Sequence, residues 1–167
     1  MEKTVICKIN KHFSFRKLVT SDASALAEFF ANLSIQTQSR FGPHPLTKDL
    51  AYELCDSIES DTAVRFVVVS EDKIIGYFIL DFAFIKHEAE RYASYGIELD
   101  PTIDPFFAPC VADAYQNSGI SSAVMKIIID YTKQKNGRNL ILLGGTQESN
   151  RLAIAFYLKW GFKECGQ

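Results

Sequence analysis

No apolar stretch of the 167-residue chain approaches the roughly 18 residues a membrane-spanning helix needs, and the charged start MEKTVICKINK lacks the apolar run of a signal peptide. Four cysteines (Cys7, Cys55, Cys110, Cys165) lie far apart with no C-x-x-C pair, and there are three histidines (His12, His44, His87), so no zinc-ligand spacing can be written. A metal is not expected, and the cysteines read as reduced, mostly buried thiols. Neither sign of charge dominates: 18 Lys+Arg against 20 Asp+Glu leave a net −2, which argues against a nucleic-acid binder driven by phosphate neutralisation. Internal repeats, low-complexity tracts and linkers are missing too. These absences point to a single cytoplasmic domain over residues 1–167, with neither membrane nor nucleic acid as partner. What is present is core material: 47% apolar and 13% aromatic residues, enough for a globular chain of this length without disulfide or metal staples.

The hydrophobic period divides the chain. Thr4 to Lys17 alternates loosely and carries Val5, Ile6, Ile9, Phe13 and Phe15, predicting one or two short strands. Thr20-Ser21-Asp22 supplies an N-cap for a helix with Leu26, Phe29, Phe30 and Leu33 on one face. Residues 39–45 contain two prolines and a glycine and must be a loop, after which Thr47 caps a second helix bearing Leu50, Leu54 and Ile58. Val64–Val69 and Ile74–Leu80 form a hairpin around Ser70–Lys73. Lys86 to Asp104 is polar and resists assignment. Phe106–Ala112 reads as a strand that Pro109 confines to an edge or a bulge.

The clearest helix follows Ser118-Gly119, with Ile120, Ala123, Val124, Ile127, Ile128 and Tyr131 in register until Asn136-Gly137. Leu140–Leu143 suits a central strand, and Asn150 caps a last helix with Ala153, Phe156, Tyr157 and Trp160 on one face. The expected class is mixed α/β.

Two segments carry chemistry. Asp113 to Ser121 hands a strand to a helix through small and amide-bearing residues, which gathers backbone N–H groups and helix-dipole charge at one spot suited to a phosphate or pyrophosphate. Alone it reads more readily as an ordinary capped helix start. Asn150 to Phe162 alone reads as a capped amphipathic helix with a core tyrosine.

Together these segments resemble the GNAT superfamily of N-acetyltransferases. Gln116-Asn117-Ser118-Gly119-Ile120-Ser121 is similar to the family's Q/R-x-x-G-x-G/A turn except at its last position. Asn150, Ala153, Phe156, Tyr157, Lys159, Gly161 and Phe162 are similar to a second family pattern. The resemblance implies a mostly antiparallel central sheet with one splayed strand pair, helices on both faces, and acetyl-coenzyme A bound in the splay. It places the pyrophosphate on the amides of Gln116, Asn117, Ser118, Gly119, Ile120 and Ser121, and the pantetheine arm beside Val111, Ala112 and Asp113, with Asn150 capping the last helix nearby. The implied reaction is direct attack by a primary amine on the thioester. A backbone N–H near Val111 or Ala112 polarises the carbonyl, and Tyr157 protonates the leaving thiolate. By the same analogy Phe41 and His44 line the acceptor site.

Several points stay open at this level. Glu98, Asp100, Asp104 and Asp113 are all available as general base, directly or through water. Cys110 adjoins the site, but no partner base for a covalent route is evident. Ser121 and the Asn117-Ser118 pair depart from the commoner small and basic residues. Family members continue past the Gly-Phe pair with two more strands, whereas five residues follow Phe162 here. Either the sequence stops short of them, or the strand around Val5 to Ile9 covers the open edge, or a partner chain does so as a homodimer. The acceptor is a small-molecule or peptide amine, and the alternative function is a catalytically inactive sensor or scaffold that binds acyl-coenzyme A.

Overall fold

Two strands open the chain, β1 (Glu2–Ile6) and β2 (His12–Lys17), in a computed structural model that describes residues 2–6, 12–83, 85–142 and 145–165. The predicted contributions of Cys7 and Ile9 lie outside the described residues. After one 3-10 turn come α1 (Ala23–Ala31), α2 (Ile35–Ser39) and α3 (Lys48–Asp56). The hairpin β3 (Ala63–Ser70) and β4 (Lys73–Asp81) follows, then α4 (Lys86–Ser94), β5 (Phe106–Val111), α5 (Ile120–Gln134), β6 (Ile141–Leu142) and α6 (Arg151–Lys159). The six strands form one open sheet in sequence order, antiparallel except for the β5–β6 pair. Glu71 and Asp72 close the hairpin in the left-handed region (φ 50° and 60°), the backbone that a two-residue turn between twisted strands demands.

Each face of the sheet has its own core. Phe15, Phe66, Phe78 and Leu80 project onto α5, meeting Val124, Met125 and Ile128, all almost inaccessible to water. From the other face Val67, Tyr77, Ile79 and Cys110 project onto α1 and α3, meeting Leu26, Phe30, Leu54 and Cys55. One sheet serves both sides because successive side chains alternate between its faces, and within β4 a bulge resets the phase of that alternation. The register with β3 passes from Val68 opposite Gly76 to Val69 opposite Ile74, which leaves Ile75 as the extra residue. A Cβ on Gly76 would lie 2.9 Å from the Phe78 ring, so this position stays bare.

Four expectations change. α2 lies in a stretch with no hydrophobic period; Ser34 starts it by accepting the Thr37 N–H at 3.2 Å. α4 occupies part of the unassigned polar segment, and it was illegible because its buried position holds Glu88, paired with Arg91, where an apolar residue would have shown the period. Leu140–Leu143 yields only the two-residue β6, last in the sheet order; Leu140 and Leu142 are apolar because they pack on the α5-side core, and Leu143 lies outside the described residues. Finally, β1 pairs with β2, at the sheet edge opposite β6, so the N-terminal strand does not cover the edge beside β6.

Candidate active site

The sheet parts between β5 and β6. β5 pairs with β4 along its whole length, from Phe106 opposite Asp81 to Val111 opposite Gly76, with no bulge at Pro109. Toward β6 it pairs only at Phe106 and Phe107. From Ala108 onward the outer edge of β5 has no strand beside it among the described residues.

Strand geometry then dictates what faces this gap. The Ala112 N–H donates to the Ile75 carbonyl at 3.0 Å, so even-numbered positions turn their polar groups toward β4 and odd ones turn away. Pro109 therefore stands on the unpaired side, where its missing N–H costs the sheet nothing. The Val111 carbonyl points into the gap and accepts from the Gln116 side-chain amide at 3.3 Å, and the Val111 N–H points the same way.

Beyond β5 the chain makes a 3-10 turn at Asp113–Tyr115 and passes through two left-handed residues, Asn117 (φ 60°) and Gly119 (φ 93°). Asparagine and glycine are the residues that tolerate this backbone. Gly119 is the N-cap of α5 and offers no side chain to the helix start. The N–H groups of Ile120, Ser121 and Ser122 thus have no intrahelical partner and stand at the positive end of the helix dipole.

These groups meet in one cavity of about 320 Å³. One wall is Val111 with Gln116, Asn117, Gly119, Ile120 and Ser121; a second is Asn150, Leu152, Ala153 and Phe156 of α6; a third is Thr37, Arg40 and Phe41 from the segment around α2. Asn150 caps α6 by accepting the Ala153 N–H at 3.3 Å.

Other predicted residues stand outside this lining. Ser118 turns its hydroxyl back to the Tyr115 carbonyl, and Ala112 belongs to the core of the α1/α3 face. The Asp113 carboxylate accepts from the Ser34 N–H (2.8 Å), the Ser34 hydroxyl (2.7 Å) and the Thr37 hydroxyl (2.7 Å). Partial burial opposes its charge, but these hydrogen bonds hold its pKa below the ordinary value. Asp113 is thereby a staple between the turn and α2, reinforced by the Gln116 amide, which donates to the Thr37 hydroxyl at 3.1 Å.

His44 lies behind Phe41, with ring centroids 5.1 Å apart, and not on the cavity lining. Arg65 Nε donates to the Tyr77 hydroxyl at 2.9 Å, which leaves that hydroxyl to donate to His44 Nε2 at 3.2 Å and His44 Nδ1 to donate to the Pro45 carbonyl at 2.8 Å. Burial, with Arg65 nearby, lowers the His44 pKa and favours this neutral form. Tyr157 is likewise off the cavity lining, packed between Phe156 and Phe162 at 5.3 and 5.2 Å between centroids, with its hydroxyl making no hydrogen bond among the described residues.

The remaining candidate bases are elsewhere. Asp104 caps the loop before β6, accepting from the backbone N–H groups of Arg138 and Asn139 at 2.9 and 2.8 Å. Glu98 and Asp100 lie in the segment leading to it, off the cavity. Cys110 does line the cavity, but burial raises its thiol to about 12, so it is not a thiolate near neutral pH. Cys55 is also a buried free thiol, Cys165 is half-buried, and Cys7 lies outside the described residues. No group of three or more potential metal ligands gathers among the described residues, and no helix there is long and apolar enough to cross a membrane.

Sequence reasoning found Phe41 of the third wall and missed Thr37 and Arg40. Thr37 lies in the five-residue α2 and Arg40 is its C-cap, and the only sequence signal for this helix is the serine cap at Ser34.

Comparison with known proteins agrees with this geometry. The model of the acetyltransferase (GNAT) family matches residues 29–162. No curated protein matches the sequence. Among solved structures, the GNAT domain of S. lividans PAT superposes with a TM-score of 0.74 at 17% identity, covering 97% of this chain and 88% of that one. The ribosomal-protein-S5-alanine acetyltransferase of Vibrio fischeri gives 0.68 at 21% identity over 92% and 81% of the two chains. AAC(6')-Iy, solved with a bisubstrate analogue of coenzyme A and acetylneamine, gives 0.66 at 14% identity over 94% and 95%.

Proposed function

Because the chain belongs to the acetyltransferase (GNAT) family, we propose that it transfers an acetyl group from acetyl-coenzyme A to a primary amine by direct attack. The observation that carries this reading is the gap beside β5, with the Val111 N–H facing it and the bare N-terminus of α5 at its end. The residues present fit the cofactor. The free amides of Ile120, Ser121 and Ser122, with the left-handed turn before them, suit a pyrophosphate, and the unpaired edge of β5 suits the amides of a pantetheine arm. Bound there, acetyl-coenzyme A supplies the acetyl thioester.

Each residue then has one task. The Val111 N–H stands ready to donate to the carbonyl oxygen as negative charge develops on it. As the new C–N bond forms and the C–S bond breaks, Tyr157, which adjoins Phe156 of the lining without lining the cavity itself, would give its phenolic proton to the departing sulfur. The amine must shed a proton before attack. No carboxylate lines the cavity among the described residues, so that proton passes to solvent water. Asn150 holds the start of α6 against the cofactor arm, and Phe41, backed by His44, closes the acceptor side.

Thermal unfolding with and without acetyl-coenzyme A tests the pocket. At about 100 times the dissociation constant the stabilisation is roughly 2.7 kcal/mol, which raises the midpoint of a chain this size by about 5 to 11 °C. Gly119→Asp abolishes that shift, because it sets a carboxylate on the phosphate turn at a φ of 93°. No shift in the native chain at millimolar cofactor rejects the proposal.

A further inference from the structure

The cavity has one charged lining residue among those described, and it is a cation: Arg40, at the C-terminal end of α2. Its guanidinium forms no ion pair and no side-chain hydrogen bond among the described residues. The Asp113 carboxylate beside the cavity is committed to Ser34 and Thr37. The acceptor wall therefore presents a net positive charge, with neutral and aromatic neighbours to either side.

Arg40 belongs to a different wall from the bare amides. Phe41, the next residue, packs with the core of the α1/α3 face, whereas Ile120 and Phe156 pack with the core of the α5 face. The lining of the cavity thus draws on both cores, with the bare amides beside Ile120 on one wall and Arg40 beside Phe41 on another. The anion at the amides is the cofactor's pyrophosphate. The geometry points to a second anion on the acceptor: we infer that the acceptor is a small zwitterionic amine of amino-acid type, its carboxylate held by Arg40.

This rests on the acetyltransferase reading and narrows it. A guanidinium takes a carboxylate through two parallel N–H donors and so fixes the orientation of the amine, which a point contact does not. A polyamine or aminoglycoside arrives with several positive charges, and this wall supplies Arg40 and no carboxylate to meet them.

The test measures coenzyme A release with the standard amino acids, their carboxamides, spermidine and kanamycin, and separately titrates acetyl-coenzyme A by calorimetry. The best acceptor should be an amino acid, exceeding its own carboxamide at least tenfold in kcat/KM. Arg40→Ala should bring that ratio to about one with the acetyl-coenzyme A affinity within twofold of native, and Arg40→Lys should recover part of it. Equal use of acid and carboxamide, preference for spermidine or kanamycin, or no turnover of any amino acid by a chain that binds acetyl-coenzyme A overturns the inference. A tenfold loss of acetyl-coenzyme A affinity in Arg40→Ala, with the ratio unchanged, would instead assign the guanidinium to the cofactor's phosphates. Failure of the native chain to bind acetyl-coenzyme A is a different result, and it rejects the acetyltransferase reading itself.

Discussion

The Tyr157 phenol is desolvated between two aromatic rings, and burial alone raises its pKa above the ordinary 10. The sign matters: a raised pKa keeps the proton on the oxygen at every pH where a free amine is available, which suits a donor and not a base. Tyr157→Phe keeps the ring packing and removes only that proton. It should lower kcat by about two orders of magnitude, within the usual range for general acid catalysis, and leave the calorimetric affinity for acetyl-coenzyme A unaltered. An unchanged kcat would show that the thiolate takes its proton elsewhere. Asp104 shows the opposite use of a buried ionisable side chain. Burial works against its charge, yet hydrogen bonds from the Asp100, Asn139 and Arg138 backbones overcome that penalty and lower its pKa, so this carboxylate stays charged and shapes the loop before β6.

At the scale of elements, the loop after α2 is tied to the sheet by a single chain of hydrogen bonds. Asp61 pairs with Arg65, Arg65 donates to Tyr77, and Tyr77 donates to His44, whose ring supports Phe41. Protonating His44 removes the acceptor that Tyr77 needs and adds a cation near Arg65. The folded-state pKa lies below the ordinary 6.5, so the unfolded chain binds the proton first as pH falls. Stability should accordingly decline from about pH 6.5 downward, before the carboxylates titrate. His44→Phe should flatten denaturant midpoints between pH 7 and 5.5; a native midpoint already constant over that interval would contradict the assigned network. The same elements show what sequence can reveal. α5 was legible because six apolar residues repeat along one face, and the turn before it because glycine, asparagine and serine leave amides bare. α2 was not legible: it is too short for a period, and a contact 79 residues away in sequence, from Ser34 to Asp113, helps to hold it. α4 hid behind an ion pair in place of an apolar stripe. Tyr157 and His44 were legible as candidates, but their distance from the cavity lining depends on neighbours that no local pattern encodes.

In the whole molecule, both cores draw on the same strands. β3, β4 and β5 each contribute side chains to the α5 face and to the α1/α3 face, so neither core can loosen without disturbing the strands of the other. Unfolding should be a single transition. Fluorescence of Trp160, which packs on the α5 side, and far-ultraviolet dichroism should give coincident denaturant curves. A Trp160 transition that precedes the dichroism would mean that the α5 side melts on its own. Splaying the sheet between β5 and β6 leaves this shared region intact, since the gap opens beyond Phe107, at the margin of both cores.

The Asp113 staple reaches further than stability. It joins the turn offered to the cofactor to the short helix that carries Arg40, so neither wall moves without the other. Whatever free energy one ligand gains by steadying that joint is returned to the second, by the same factor in either direction. A donor and an acceptor bound on these two walls would then strengthen each other's hold through the Asp113 carboxylate.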